Sequence, residues 1–280
     1  MTTDSHHGRA DLGIRLKELR TEAGLTGKEL AVKLGWQQSK VSKLETGRQT
    51  ATINDLKAWA RATGQPDAIP ELKGRLHSLE STYRPWCHQL AAGHRAAQDT
   101  HGTQHAYART IHAFSTSVIP GILQTHDYAH SILSRHAELH GATRDLDAGV
   151  DARMRWQDNL YTGRTQYHVL MWEAALHVRI CSPEVLVAQL DRLISAQGLR
   201  AVQLGIIPLA AEVHLPPSHD FYIFDEQRVI ADAWHTEMWL NTAEEARLYR
   251  RIWDRLNKAA VYRHDAHKLL MRARVTVELG

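Results

Sequence analysis

Between positions 37 and 48 stand seven polar residues whose types and spacing could do chemistry: Gln37, Gln38, Ser39, Lys40, Ser42, Lys43 and Arg48. They are hydrogen-bond donors and acceptors of the kind that read base edges. Glutamine can bond adenine through two atoms, lysine can donate to guanine O6 and N7, and serine serves either way. On a helix beginning near residue 38, Ser39 and Lys43 are four residues apart and share a face. Gln38 and Ser42 lie near that face, while Val41 and Leu44 point the other way. One side packs and the other is polar and net basic, as insertion into a major groove needs. Arg48 follows at the helix end, within reach of a phosphate. Taken alone, the same residues describe an ordinary solvated helix face, so the elements that hold them must decide.

Those elements are legible as four short helices between Asp11 and about Gly64. Leu12, Leu16, Leu19 and Ala23 make one apolar stripe, and Gly24 stops it. Thr26 is an N-cap for GKELAVKL, with Glu29 three residues on, as in a capping box. Leu30, Ala31 and Leu34 form the buried face of that helix, and Gly35 ends it. Trp36 and Gln37 connect to SKVSKLE, which Gly47 ends. Ile53, Leu56, Trp59 and Ala60 mark the fourth helix, closed by Gly64 and Pro66. Two short helices joined by a glycine-containing turn define a helix-turn-helix, whose second helix enters the groove by its N-terminal end.

Beyond it, residues 65–82 read as a linker and a helix carrying Leu72, Leu76 and Leu79, and 83–113 as a second helical block. Pro120-Gly121 breaks the chain and opens another helix, and a further one covers about 144–161. The pattern changes at Gln166. YHVLMWEAAL reads as a strand. Ser182-Pro183 caps and starts a helix. AVQLGIIPL reads as the next strand, and FYIFDE with VIADAW as a hairpin. Thr242 and Glu245 form a capping box before a long C-terminal helix, AEEARLYRRIWDRLNKAAVY. The expected fold is mainly α: an N-terminal all-α helix-turn-helix domain, then a larger α+β domain with a small sheet. The expected divisions are 1–66 for the DNA-binding domain, 67–113 for a helical linker region and 114–280 for a regulatory and dimerisation domain.

Composition narrows the function. The 280 residues are 43% hydrophobic and 23% charged, the profile of an ordinary globular protein. No apolar run is long enough for a membrane span, and MTTDSHHGRADLG lacks the apolar core of a secretory signal. Only Cys87 and Cys181 are present, which excludes a disulfide scaffold and a four-cysteine zinc module and fits the cytoplasm. Residues 1–80 hold 13 basic and 10 acidic groups, and residues 81–280 hold 21 of each. The excess positive charge therefore sits at one end, as expected of a head that binds a polyanion.

An enzyme would need a nucleophile set, and the sequence has no G-x-S-x-G, H-E-x-x-H, P-loop or G-x-G-x-x-G. Cys87 and His88 are neighbours that point apart on a helix. Ser195 lacks a nearby base, and beyond Lys73 only Lys258 and Lys268 could serve a serine-lysine dyad. The pairs His101/His105, His126/His130 and His136/His140 have a spacing that can chelate zinc, with His264/His267 one residue closer, but no third ligand is identified. No catalytic residue, cofactor or metal is expected. Trp172, Trp234, Trp239 and Trp253 read as core or dimer-interface residues. The sharper reading is an aromatic-lined effector pocket.

GLTGKELAVKLGWQQSKVSKLETGR resembles the Xre-type, lambda-repressor-like helix-turn-helix family. That resemblance implies an ion pair between Glu45 of the third helix and Arg20 at the end of the first. Many relatives carry glutamine at the first turn of the second helix, touching a phosphate. Gly27 stands there in this chain. VIPGILQTHDYAHSIL, RMRWQDNL and VQLGIIPL before FYIFDE resemble the C-terminal domain of a large actinobacterial group of such regulators. Relatives usually have Arg-Gln side by side where this chain reads Arg153, Met154, Arg155, Trp156, Gln157. The resemblance implies an antitoxin-like transcription factor, commonly encoded beside a small partner protein. The expectation is a dimeric, sequence-specific regulator of transcription on double-stranded DNA, controlled through its C-terminal domain by a partner or effector. The alternative is an antitoxin-like module that sequesters a small protein and autoregulates its operon. An enzyme with a DNA-binding head ranks last, and it would require a pocket with converging titratable groups.

Overall fold

The structure, a computed structural model, describes residues 3–80, 82–142 and 144–279, with side chains for 9–76, 84–142 and 144–279. It divides into two compact units, 1–82 and 83–280. The helical first part and the α+β second part agree with the sequence, and 59% of the chain is helical.

The first unit comprises α1 (Thr3–Glu22), α2 (Gly27–Leu34), α3 (Gln38–Glu45), α4 (Ile53–Ala62) and α5 (Ile69–Glu80). Its core gathers Leu12, Leu16 and Leu19 from α1, Leu30 from α2, Val41 and Leu44 from α3, and Leu56 and Trp59 from α4. Trp59 is fully enclosed and donates its indole N–H to the Leu16 carbonyl at 3.0 Å. A bond of that kind is what makes a buried indole tolerable. The unit extends past residue 66 because α5 completes this core with Leu72 and Leu76. Glu71 of α5 also pairs with Arg15 of α1 at 3.1 Å. Leu79, expected on the same face, lies outside the described side chains.

The second unit is built on one mixed sheet. Its strands are β1 (Thr82–Pro85), β2 (Thr110–Ser115), β3 (Gln166–Trp172), β4 (Val202–Ile207), β5 (Phe221–Phe224), β6 (Arg228–Ala233), β7 (Thr236–Leu240) and β8 (Val261–Tyr262), in spatial order β1-β7-β6-β5-β2-β3-β4-β8. β2, β3 and β4 run parallel, whereas β2–β5, β5–β6, β6–β7 and β4–β8 are antiparallel. The helices are α6 (Trp86–Ala91), α7 (His94–Tyr107), α8 (His126–His140), α9 (Leu146–Trp156), α10 (Asn159–Thr162), α11 (Pro183–Ala196), α12 (Ala243–Asn257) and α13 (Arg263–Leu279). One sheet face, with Phe114, Leu170, Phe221, Ile223 and Val229, packs under Ala246, Tyr249, Trp253 and Leu256 of α12. The other, with Ile111, Val169, Met171, Ile206 and Ile230, packs under side chains of α8, α9, α11 and α13. Strands buried on both faces read as apolar runs rather than alternations.

Three sequence expectations change here. The helical block ends at Tyr107, and Thr110–Ser115 is the central strand β2. The long C-terminal helix stops at Asn257, because Val261 and Tyr262 pair with Ile206 and Gly205 of β4 before α13 begins. The strand expected over 167–176 ends at Trp172, and Glu173–Leu176 is a short 3-10 helix. Of the four tryptophans expected in a core or a dimer interface, Trp239 and Trp253 are buried, Trp172 is partly so and Trp234 is 78% exposed. The hairpin of β5 and β6 and the caps at Thr26, Ser182 and Thr242 form as read.

Candidate nucleic-acid interface

The polar face of α3 is held up by its neighbours. Thr26 accepts from the Glu29 amide at 3.2 Å, and the Glu29 carboxylate accepts from the Thr26 amide at 2.7 Å, which starts α2. Gly35 ends α2 with φ 67°, a left-handed turn that favours glycine. Trp36 and Gln37 then carry the chain into α3. Val41 and Leu44 are buried, so the rotation of α3 about its own axis is fixed. At Gly13 a β-carbon would stand 2.4 Å from the Glu45 carbonyl oxygen and 2.8 Å from that of Leu44. Glycine thus lets α1 approach the end of α3 backbone to backbone.

Arg20 locks the same end. Its guanidinium donates to both Glu45 oxygens, at 2.5 and 3.1 Å, and to the Leu25 carbonyl at 2.7 Å. The two side chains are only 12% and 11% exposed. A part-buried, bidentate pair with an extra backbone bond fixes geometry in a way that a surface pair does not. The pair expected between these two residues is therefore present, as a brace between α1 and α3.

With α3 so placed, Gln37, Gln38, Ser39, Ser42, Lys43 and Arg48 are all exposed. Gln37, at the N-cap position, makes no capping bond with its side chain. Ser39 lies 3.5 Å from the Gln37 amide oxygen, at the outer limit of a hydrogen bond. Lys40 is placed differently. Its ammonium donates to Asp55 at 2.6 Å and lies 3.9 Å above the Trp36 ring. Asp55 also accepts from the Thr52 amide at 3.0 Å and so caps α4. Burial opposes ionisation of Asp55, but Lys40 and Thr52 outweigh it and hold the carboxyl below its usual range. Lys40 thus joins α3 to α4, and the outward ridge consists of Gln38, Ser39, Ser42 and Lys43 flanked by Gln37 and Arg48. Gly27 offers no side chain at the start of α2, and exposed Lys28 follows it.

The histidine pairs of the second unit have separate surroundings. His126 is exposed beside Asp127, and His130 is half-buried beside Asp147. His101 lies 3.0 Å from buried Glu237, and His105 packs against Trp156 with ring centres 4.7 Å apart. Among the described residues, no three His, Cys, Asp or Glu side chains group so as to hold a metal ion, and no helix is long and apolar enough to cross a membrane. The buried charges around His101 escaped sequence reading, since α7, α9, β6 and β7 bring them together from separate stretches.

A helix-turn-helix domain family matches residues 11–72, which contain α2 and α3 whole. A second family, described as a domain of unknown function (DUF5753), matches residues 98–272. No curated protein matches the chain. Among solved structures, TrmBL2, an archaeal chromatin protein described as showing a novel mode of DNA binding, aligns over 85% of this chain and 88% of its own at 11% identity. The TM-score of 0.34 is too low for that likeness to carry an argument.

Proposed function

The chain belongs to the DUF5753 family, with a helix-turn-helix domain ahead of it, and on that premise we propose that it is a sequence-specific DNA-binding regulator of transcription. The observation that carries this reading is the exposed ridge of Gln38, Ser39, Ser42 and Lys43 on a helix braced by Arg20–Glu45. Gln38, Ser39 and Lys43 read base edges, and Arg48 sits on a phosphate. The protein is of the Xre type and works in the cytoplasm. One head makes few contacts, so two chains bind a pseudo-palindromic site. The second unit dimerises and receives a partner protein or effector, and no covalent step is involved.

Selection of duplexes from genomic DNA by the full chain, followed by titration, tests this. Lys43→Ala should weaken the selected site by about 1–3 kcal/mol while barely changing random duplex. Equal losses on both would remove base reading by that residue, and absence of any preference among duplexes at low salt would overturn the function. Lys40→Ala should lower stability more than specificity, since Lys40 bonds Asp55.

A catalytic reading asks for converging titratable groups, and His101, Asp232 and Glu237 meet that condition. In the regulator reading the same groups receive a signal, and nothing is turned over.

A further inference from the structure

The outward face of α12, in the second unit, carries a row of cations. Thr242 and Glu245 cap the start of that helix, and Ala246, Tyr249, Trp253 and Leu256 bury one side of it against the sheet. Its rotation is thereby fixed. Arg247, Arg251 and Arg255 follow one another at four-residue steps and so share a face, with Lys258 at the helix end. All four are exposed. Four residues advance a helix by about 6 Å, so the row runs for about 16 Å.

Nothing within the second unit accounts for the row. Among the described residues, none of the four cations forms an ion pair with a carboxylate. Arg250, on the side of α12 nearer the sheet, shows the contrast. Its guanidinium meets Glu226 at 3.1 Å, Asp254 at 3.3 Å and a His112 ring nitrogen at 2.9 Å. Asp254 is thus engaged, and Glu244 is the one acid that shares the face of the row without a partner among the described residues. The helix dipole favours cations in the last turn only. It serves Arg255 and Lys258, and it offers Arg247 and Arg251 nothing. A protein partner would need an apolar centre to bury. Among the described residues, Leu248 is the one large apolar side chain that α12 exposes.

A surface that is polar, strongly positive and poor in apolar area suits a phosphate backbone. Residues 81–280 hold 21 basic and 21 acidic groups, so the row is a local segregation of charge in a balanced body. We propose that the outward face of α12 is a second contact to duplex DNA, in which Arg247, Arg251, Arg255 and Lys258 pair with backbone phosphates and read no base. The planar guanidinium fork grips a phosphate through two N–H groups. Each phosphate so neutralised releases counterions, so this face adds affinity and salt dependence without specificity. The choice of duplex DNA as partner rests on the DNA-binding reading. Once α3 holds a duplex, the chain that joins the two units keeps α12 at a high effective concentration near it.

The test is titration of the full chain with a long random duplex and with one carrying the selected site, over a series of salt concentrations. Arg247→Ala, Arg251→Ala and Arg255→Ala combined should weaken both duplexes alike, by about tenfold or more at low salt. The slope of log affinity against log salt should drop by about two to three, and the preference between the duplexes should stay as it was. The same three positions changed to lysine keep the charge and should keep most of the affinity, which separates lost charge from a disturbed helix. Unchanged affinity and slope in the alanine variant would overturn the contact. So would a loss confined to the selected duplex, since phosphates carry no sequence. Loss of binding to poly-L-glutamate with no change on either duplex would assign the row to an acidic polypeptide and overturn it as well. Equal binding of both duplexes by the wild type would remove base reading by α3, yet the loss in the alanine variant would still be seen, so either proposal can fail alone.

Discussion

Asp232 shows at a single residue how placement changes chemistry. Its carboxyl, ordinarily near 3.8, stands at about 7 in the folded chain. A raised folded value means that the folded state holds the proton more tightly than the unfolded one. The group therefore costs no stability below about pH 4, and the cost grows as pH climbs towards 7. Asp232→Asn should gain stability over the wild type at pH 8 and gain little at pH 4, as read by urea unfolding at each pH. An equal gain at both would show that the carboxyl is not desolvated. How much was legible differs among such residues. Ser39 and Lys43 could be placed because their shared face follows from helix geometry within five residues. The Arg20–Glu45 pair followed from a motif. The turn of Lys40 towards Asp55 could not be read, because it depends on where α4 docks. Nor could the meeting of His101, Arg153, Asp232 and Glu237, which only the sheet register and the helices above it bring together.

At the scale of elements, the ends of helices were the most legible feature. Thr26 with Glu29, Ser182 with Pro183 and Thr242 with Glu245 act locally, through bonds spanning three residues. Strands with distant partners were the least. TIHAFS carries a histidine amid apolar residues, and only pairing with β3 and β5 makes it β2. TEMWL hides a buried glutamate, and β8 has two residues, too few for any periodicity. The α1–α3 contact yields a prediction. Gly13→Ala would drive a methyl into the Glu45 and Leu44 carbonyls. It should cost about 1–3 kcal/mol as α1 is pushed away. It should also weaken operator binding beyond what lost stability explains, since α3 then tilts. Urea unfolding and a duplex titration on the same preparation separate the two effects. An unchanged affinity would mean that α3 keeps its place without that contact.

Across the whole molecule the charge is uneven, with the net positive excess in residues 1–80 and a balanced remainder. Affinity for DNA should accordingly fall steeply with salt through contacts made by the first unit. Arg48→Ala should reduce the slope of log affinity against log salt by about one if a single head binds, and by about two if two heads share a duplex. The same titration thus counts heads, and an unchanged slope would take Arg48 off the phosphate. Within that head, Asp55 serves two masters, capping α4 through Thr52 and holding Lys40 of α3. One carboxylate is therefore a shared latch. The reading helix cannot loosen there without fraying the start of the helix behind it, so what a duplex meets is one preset shape, not a surface that adjusts to each sequence it slides past.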